Sequence, residues 1–405
     1  MRILQIEKML YASSGVTSAV GRLGELLRQA GHDVLLFGCA EPGAKGKQLS
    51  EFPRYIDFAA RRRAADLPLM IHNDSAARAM DRFLDRNPVD VAHVHNIYHH
   101  LTPAILPVLA RRRIGIVLTS HDYRLACPTK HFLRPDGVCM RCLPARFHHS
   151  VSPRCAGLAG VALGFETFWQ RFFRRYWRWA DIVLCPSEFM RQVLLKIGPS
   201  RSKLVYCPNA VKPIEVCAPP SEAPKGLLFV GRISAEKGPD LMLDLAGRLT
   251  WAKIVVVGDG PMLPKLRDRL AREKLSNVQL TGAVGRDAVG SYLTQAGAVV
   301  LPSRCMENSP QSMLEAMWAG RCVIAPDHPP LREWVTDGRT GRTFRPGDGG
   351  DLARVAEEVL TDQTARSAMA AAGRELVKTR HDGQAVLAMH ENAYREAIRR
   401  CAWRW

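Results

Sequence analysis

Short apolar segments alternate with helix-length segments along the whole chain, and this rhythm constrains the fold more than any other feature. ILQI (3–6), VLLF (34–37), VAHVH (91–95), IGIVLTS (114–120) and DIVLC (181–185) are strand-like, each followed by turn or helix signals. After the first comes a turn, SSGVTS (13–18), and a helical stretch, AVGRLGELLRQAG, ending at Gly31. Strands alternating with helices form parallel sheets with right-handed crossovers. CPNAVKPIEVCAPPSEAPK (207–225) interrupts the rhythm with five prolines and reads as a linker. The rhythm restarts with LLFV (227–230), KIVVV (253–257), NVQL (277–280), AVVL (298–301) and CVIA (322–325), with helices from 239, 261 and about 312. The expected class is α/β, with two Rossmann-like doubly wound parallel-sheet domains facing across a cleft. Their expected bounds are 1–207 and 226–383, joined by a linker at 208–225. Ligands of open parallel sheets bind outside the carboxyl ends of the strands, so functional residues are expected just after strands.

Composition narrows the class further. A chain of 405 residues that is 47% hydrophobic and 24% charged is in the globular range, which excludes disorder throughout. No apolar run reaches the ~18 residues of a membrane span. Glu7 and Lys8 break the apolar N-terminus MRILQIEKML, so neither secretion nor disulfides are expected, and the eleven cysteines point to a reducing, cytoplasmic compartment. Residues 1–205 hold 30 basic and 16 acidic residues, a net +14 of the chain's +18. Such a surface attracts a phospholipid membrane, a phosphorylated substrate or nucleic acid. The sequence contains no basic helix, zinc-finger spacing or aromatic RNA motif, so nucleic acid is not the expected partner.

Five motifs follow strands. ENSPQSMLE (307–315) comes after AVVLP. Asn308, Ser309 and Ser312 can cap a helix, Pro310 suits its first turn, and the helix amides then face a phosphate. Glu307 in the loop and Glu315 one turn into the helix can each accept two hydroxyl hydrogen bonds, which suits a polyhydroxy ligand. GRISAEKG (231–238) carries Arg232 and Lys237 between Gly231 and Gly238. A planar fork plus a point charge suits a diphosphate. GDGP (258–261) places Gly258 in a tight turn, with Pro261 at the start of a helix. Gly15 lets backbone approach a ligand, and His121 in HDY (121–123) ends a strand, where a polar role is accessible. Each motif also has a plain structural reading: a capped helix with a solvated acidic face, a solvated basic loop, two tight turns, and a structural histidine.

Taken in order, these elements resemble retaining glycosyltransferase family 4, which has the two-Rossmann GT-B architecture. The resemblance covers nearly the whole chain. Its carriers are Ser14–Gly15, HVHN (93–96), HDYRLACP (121–128), CMRC (139–142), PSEFM (186–190), PNAV (208–211), GRISAEKG, GDGP and ENSPQSMLEAMWAG (307–320). The resemblance implies that a hexose moves from a UDP- or GDP-linked sugar to a glycan or lipid-linked acceptor in cell-envelope glycan synthesis, with retention of configuration. It implies that Arg232 and Lys237 neutralise the diphosphate, Glu315 holds the ribose, and Glu307 contacts sugar hydroxyls. Backbone around Asn308–Pro310 lies near sugar and phosphate, Gly15 abuts the diphosphate, and His121 binds the sugar near the reacting carbon. No cofactor is required for catalysis, and the final helical stretch (384–405) packs back on the first domain. Lys237→Ala is expected to lower turnover far more than stability. Two departures stand out: Ser14–Gly15 replaces a pair of glycines, and DHPPLRE (327–333) replaces a glycine-containing turn. A nucleotide-sugar epimerase shares the fold, but its usual motifs do not match ENSPQSMLE.

Two stretches stand outside this scheme. Cys127, Cys139, Cys142 and Cys155 fall within 29 residues, and CMRC has a spacing compatible with structural zinc; reduced, unligated thiols are the alternative. GFETFWQRFFRRYWRWA (164–180) mixes eight aromatic residues with four arginines. Together with the arginine triplets at 61–63 and 111–113, it suits peripheral attachment to the inner face of a membrane; a helix packed in its own domain is the alternative.

Overall fold

The computed structural model describes residues 1–10, 14–40, 52–53, 55, 67–152, 154–157, 159–172, 176–214 and 226–402. The arginine triplet 61–63, residues 173–175 of the aromatic stretch and residues 215–225 of the proline-rich segment lie outside the described residues. The chain divides into two units. One comprises Met1–Lys130, Met140–Ala210 and Gly383–Trp405; the other comprises His131–Cys139 and Val211–Asp382.

The first unit is built on strands β1 (Arg2–Ile6), β2 (Asp33–Phe37), β3 (Val91–Val94) and β4 (Gly115–Thr119). A short hairpin, β5 (Leu133–Arg134) with β6 (Gly137–Val138), belongs to the second unit. Strands β7 (Ile182–Cys185) and β8 (Leu204–Tyr206) complete the first sheet, whose order is β2-β1-β3-β4-β7-β8. All its pairings are parallel. Parallel strands are covered on both faces, which is why VAHV, GIVLT and IVLC are buried along their full length. One covering element is the C-terminal helix Gly383–Cys401, whose Val386, Leu387, Ala393, Tyr394 and Ala397 pack with Ile3, Val91, Val117 and Ile182.

In the second unit, β9 (Gly226–Val230), β10 (Ile254–Val257), β11 (Val278–Gly282), β12 (Ala296–Val300), β13 (Cys322–Pro326) and β14 (Arg342–Phe344) form a parallel sheet of order β11-β10-β9-β12-β13-β14. Period-two side-chain geometry sends Leu227, Phe229, Ile254, Val256, Ala298 and Val300 to one core, and Leu228, Val257, Val299 and Val323 to the other. Both sheets are doubly wound, as the strand–helix rhythm predicts.

The structure corrects the zinc reading. Among the described residues no group of three or more His, Cys, Asp or Glu side chains could hold a metal ion, and no disulfide forms. Cys139 belongs to the second unit, whereas Cys127, Cys142 and Cys155 belong to the first. The Cys127 thiol lies 3.2 Å from the Thr129 hydroxyl. The aromatic stretch forms two helices, Ala159–Phe172 and Tyr176–Trp179. In the first, Glu166 is buried and pairs with Arg124 and with His99 at 3.2 Å, while Phe165 and Phe168 are exposed. Among the described residues no helix is long and apolar enough to cross a membrane.

Candidate active site

Strand order locates the site in the second unit. The direction of winding reverses between β9 and β12, and ligands of doubly wound sheets bind outside the strand ends at such a point. The loop after β9 holds Gly231, Arg232 and Lys237, and the loop after β12 holds Glu307, Asn308, Ser309 and Pro310.

These two loops are fastened together. Lys237 Nζ donates to Glu307 Oε1 at 2.6 Å, and Ser303 Oγ donates to the same oxygen at 2.6 Å. The Arg304 guanidinium forms a two-pronged pair with Asp240 at 2.7 and 2.6 Å, and the Arg304 amide donates to the Glu236 carbonyl. At Gly238, which has φ of +63°, a Cβ would lie 2.2 Å from the Pro302 carbonyl oxygen. Burial pushes the Glu307 carboxyl up, but Lys237 and Ser303 outweigh it and hold the group below the usual carboxylate range. Burial also opposes the charge on Lys237, and Glu307 outweighs that, so the ammonium's pKa rises. Both directions describe an ionised pair. Arg232 is exposed and makes no ion pair among the described residues, so its guanidinium remains available to an anion.

Helix Gln311–Trp318 begins at Pro310, which takes the capping position without a side-chain hydrogen bond. This corrects the expected capping by Asn308, Ser309 or Ser312. Proline occupies the cap and has no hydroxyl or amide to contribute. The Ser309 hydroxyl is consequently buried with no partner among the described residues. Glu315, one turn in, pairs with Arg286 at 2.5 Å. Burial raises its pKa more than Arg286 lowers it.

GDGP serves as packing between loops. At Gly258, with φ of +139°, a Cβ would lie 1.8 Å from the Gly231 carbonyl oxygen. The Gly231 amide donates to Val257 O, and Ile233 donates to Asp259 O. Pro264, not Pro261, occupies the first turn of the following helix, Leu263–Glu273. The DHPPLRE departure places His328 in a buried position, with Nε2 unpartnered among the described residues. The hairpin segment adds one contact to this site: the amide of Met306, next to Glu307, donates to the His131 carbonyl at 3.2 Å.

In the first unit, Gly15 begins helix Gly15–Gln29, and Ser14 caps it by accepting the Thr17 amide at 3.1 Å. A Cβ at Gly15 would meet nothing within 4 Å, so no described protein atom demands glycine there. His121 follows β4, and its Nε2 lies 2.9 Å from His95 Nδ1. Burial pushes His121 down to about 4, only partly offset by Asp122.

Sequence reading placed Lys237 and Glu307 in loops just after strands, where they lie, but foresaw neither their pairing nor the groups around them. Ser303 and Arg304 stand between β12 and Glu307, in reach of a strand-end search. Arg286 lies far from Glu315 in sequence and gives no local signal. His95 lies within the HVHN motif, and Gln5 is a polar residue inside an apolar parallel strand, which is itself a signal.

Known proteins bear on this site. Residues 13–214 match the family model described as Glycosyltransferase Family 4, and residues 218–376 match that of Glycosyl transferases group 1. The alpha-D-kanosaminyltransferase of Streptomyces kanamyceticus is 34% identical over 149 residues, which are 36% of this chain and 38% of that protein. The chain thus spans well under half of that relative. A GDP-mannose-dependent alpha-mannosyltransferase of Mycobacterium tuberculosis is 26% identical over 385 residues, covering 90% of this chain and 89% of that protein. Anabaena Alr3699/HepE, solved in complex with UDP-glucose, superposes with a TM-score of 0.67 at 16% identity, covering 97% of this chain and 98% of that one. At that identity the likeness speaks to the fold.

Proposed function

The chain is a glycosyltransferase of the family 4 type with the GT-B fold, and from that premise we propose that it moves a hexose from a UDP- or GDP-linked sugar to a glycan or lipid-linked acceptor, retaining the anomeric configuration. The observation that carries the proposal is the reversal point of the second sheet, where Lys237 and Glu307 are locked as an ion pair and Arg232 is left exposed. One relative is a GDP-mannose-dependent mannosyltransferase and one neighbour in fold was solved with UDP-glucose, and both of those nucleotide sugars carry the diphosphate that such a loop pair suits.

Charge separation sets the chemistry. The bond from the anomeric carbon to the diphosphate oxygen breaks, leaving negative charge on the diphosphate and positive character on the sugar. Arg232, Lys237 and the uncapped amides of helix Gln311–Trp318 stabilise the leaving group. The acceptor oxygen bonds to the anomeric carbon on the face the diphosphate leaves, and its proton passes to a diphosphate oxygen. No side chain is assigned as base. Glu307 serves sugar hydroxyls, Glu315 the ribose, and Asn308–Pro310 the sugar and phosphate. Gly231 and Gly258 shape the loops beneath them. Turnover assays with UDP- and GDP-sugars, followed by NMR of the product anomer, test this. Inversion, or donor conversion without any acceptor, would reject it.

A place in cell-envelope glycan synthesis, at the inner face of a membrane, belongs to the same proposal. It is supported by the exposed stripe Val161, Phe165 and Phe168 and by the basic first half of the chain. The 111–113 triplet contributes less than its charge implies, because Arg112 is paired with Asp81 and Asp85. Flotation with anionic liposomes at low salt tests attachment, and protein left at the bottom of the gradient counts against it.

A further inference from the structure

The first sheet has a reversal point of its own. In the order β2-β1-β3-β4-β7-β8, winding turns back between β1 and β3, so the loops after these two strands flank the place where a doubly wound sheet takes a ligand. Glu7 and Lys8 follow β1, and Asn96 follows β3. Hydrogen bonds fasten these loops together. The Lys8 amide donates to the Asn96 carbonyl at 2.9 Å, and the Asn96 amide donates to Glu7 Oε2 at 2.9 Å. The Cys39 amide, just past β2, donates to the Lys8 carbonyl at 3.1 Å. The backbone of Lys8 is thus fixed on both sides, and the residue is half-buried. Its ammonium makes no hydrogen bond or ion pair among the described residues, and neither does that of Lys130, in the loop after β4.

The charges nearby do not neutralise these two. Arg124 and Glu166 are buried and pair with each other, and Glu166 also meets His99 at 3.2 Å. Arg124 Nε, a further donor, is buried without a partner among the described residues. Burial pushes the Glu7 carboxyl up to about 8, only partly offset by the Asn96 amide and Lys8, so near neutral pH it carries little charge. Asp122 accepts the Arg124 amide at 3.0 Å and makes no ion pair among the described residues, so one carboxylate faces two ammoniums. Burial lowers the Lys8 pKa, and Lys130 is the charge that acts on it most strongly, in the same direction. A half-buried ammonium facing a second one costs free energy that a bound anion offsets. We propose that Lys8 and Lys130, at the reversal point of the first sheet, bind a phosphate ester carried by the acceptor. Lysine meets phosphate as a point charge, and two ammoniums on separate loops can take separate oxygens of one tetrahedral group. The basic first half of the chain draws such a ligand in. That the ester belongs to an acceptor rests on the proposed glycosyl transfer; the anion site itself does not.

The test is acetylation of amines in the full-length protein, read lysine by lysine by mass spectrometry at constant ionic strength. The probes are inorganic phosphate, glucose 6-phosphate and vesicles containing phosphatidylglycerol. Inorganic phosphate should protect Lys8 and Lys130 together and saturably, while the exposed Lys196 and Lys274 react as before. One of the two esters should protect at a lower phosphate concentration; the sugar phosphate points to a soluble acceptor and the vesicles to a lipid-borne one. Lys130 is exposed, so Lys130→Met leaves the packing intact, and half-protection of Lys8 should then need about tenfold more phosphate. Lys8→Met should do the same to Lys130. Lack of saturable protection overturns the proposal, as does equal slowing at Lys196 and Lys274, or protection of Lys8 that is unchanged by Lys130→Met. Protection by inorganic phosphate with neither ester more effective means an adventitious ion only, and overturns it too. Failure of the glycosyl-transfer reading would show separately, as a wild type that turns over no nucleotide sugar while the two lysines are still protected.

Discussion

Lys237 is the proposed counterion of the leaving diphosphate and also the partner of buried Glu307. Lys237→Ala therefore has two effects. Turnover falls about 10²–10³-fold, the scale of one lost transition-state donor. Stability falls too, by about 1–3 kcal/mol, because Glu307 stays buried without its counterion. The sequence reading expected mainly the first effect. Lys237→Met combined with Glu307→Gln separates the two, restoring most of the stability and none of the turnover. Urea unfolding and steady-state kinetics measure both, and a Lys237→Ala protein with near-normal turnover contradicts the assignment. Arg232→Ala is the contrasting case. The side chain is exposed and makes no ion pair among the described residues, so stability changes by less than about 0.5 kcal/mol while diphosphate affinity drops. A change in unfolding midpoint as large as that of Lys237→Ala would show that Arg232 has a structural role instead.

At the scale of elements, the site depends on loops that touch backbone to backbone. Gly258→Ala would drive a Cβ into the Gly231 carbonyl at a positive φ, so it should destabilise by about 1–3 kcal/mol and weaken nucleotide binding together. Thermal unfolding and nucleotide titration of the variant check this, and wild-type values in both would show that the loops move apart without penalty. Much at this scale was legible. Long apolar runs such as GIVLT and IVLC identify parallel strands because both their faces are covered. The placement of Glu307, Arg232 and Lys237 just after strand ends was legible from the strand–helix rhythm alone, and in a doubly wound sheet that is where ligands bind. The cap of helix Gln311–Trp318 was not, since Asn308, Ser309 and Pro310 are all plausible caps and tertiary context chose the proline. The four-cysteine cluster misled for a related reason: spacing along the chain carries no information about which unit Cys139 joins.

Across the whole molecule, the first unit carries a distinctive acid liability. His93, His95, His121 and His390 are buried, and burial lowers the pKa of each, to about 4 for His121 and His390. Folded pKa values below the unfolded value mean that the unfolded chain binds more protons between about pH 6.5 and 4. Stability should therefore fall as pH drops through that window, with His121 alone contributing up to roughly 3 kcal/mol at the low end. Chemical denaturation followed across the window measures the slope, and a flat profile would mean these histidines are charged in the native state. The pairing of His93 with Tyr394 from the C-terminal helix joins segments 301 residues apart, which no local pattern in the sequence reveals. The central claim is that the reversal point of the second sheet binds a sugar-linked diphosphate through Arg232 and Lys237. Calorimetric titration of wild type and Arg232→Ala with UDP, GDP and their hexose conjugates tests it most directly. The account predicts saturable binding of at least one nucleotide by the wild type, weakened about tenfold or more by the substitution. Absence of binding for every nucleotide, or equal affinity in both proteins, would contradict it.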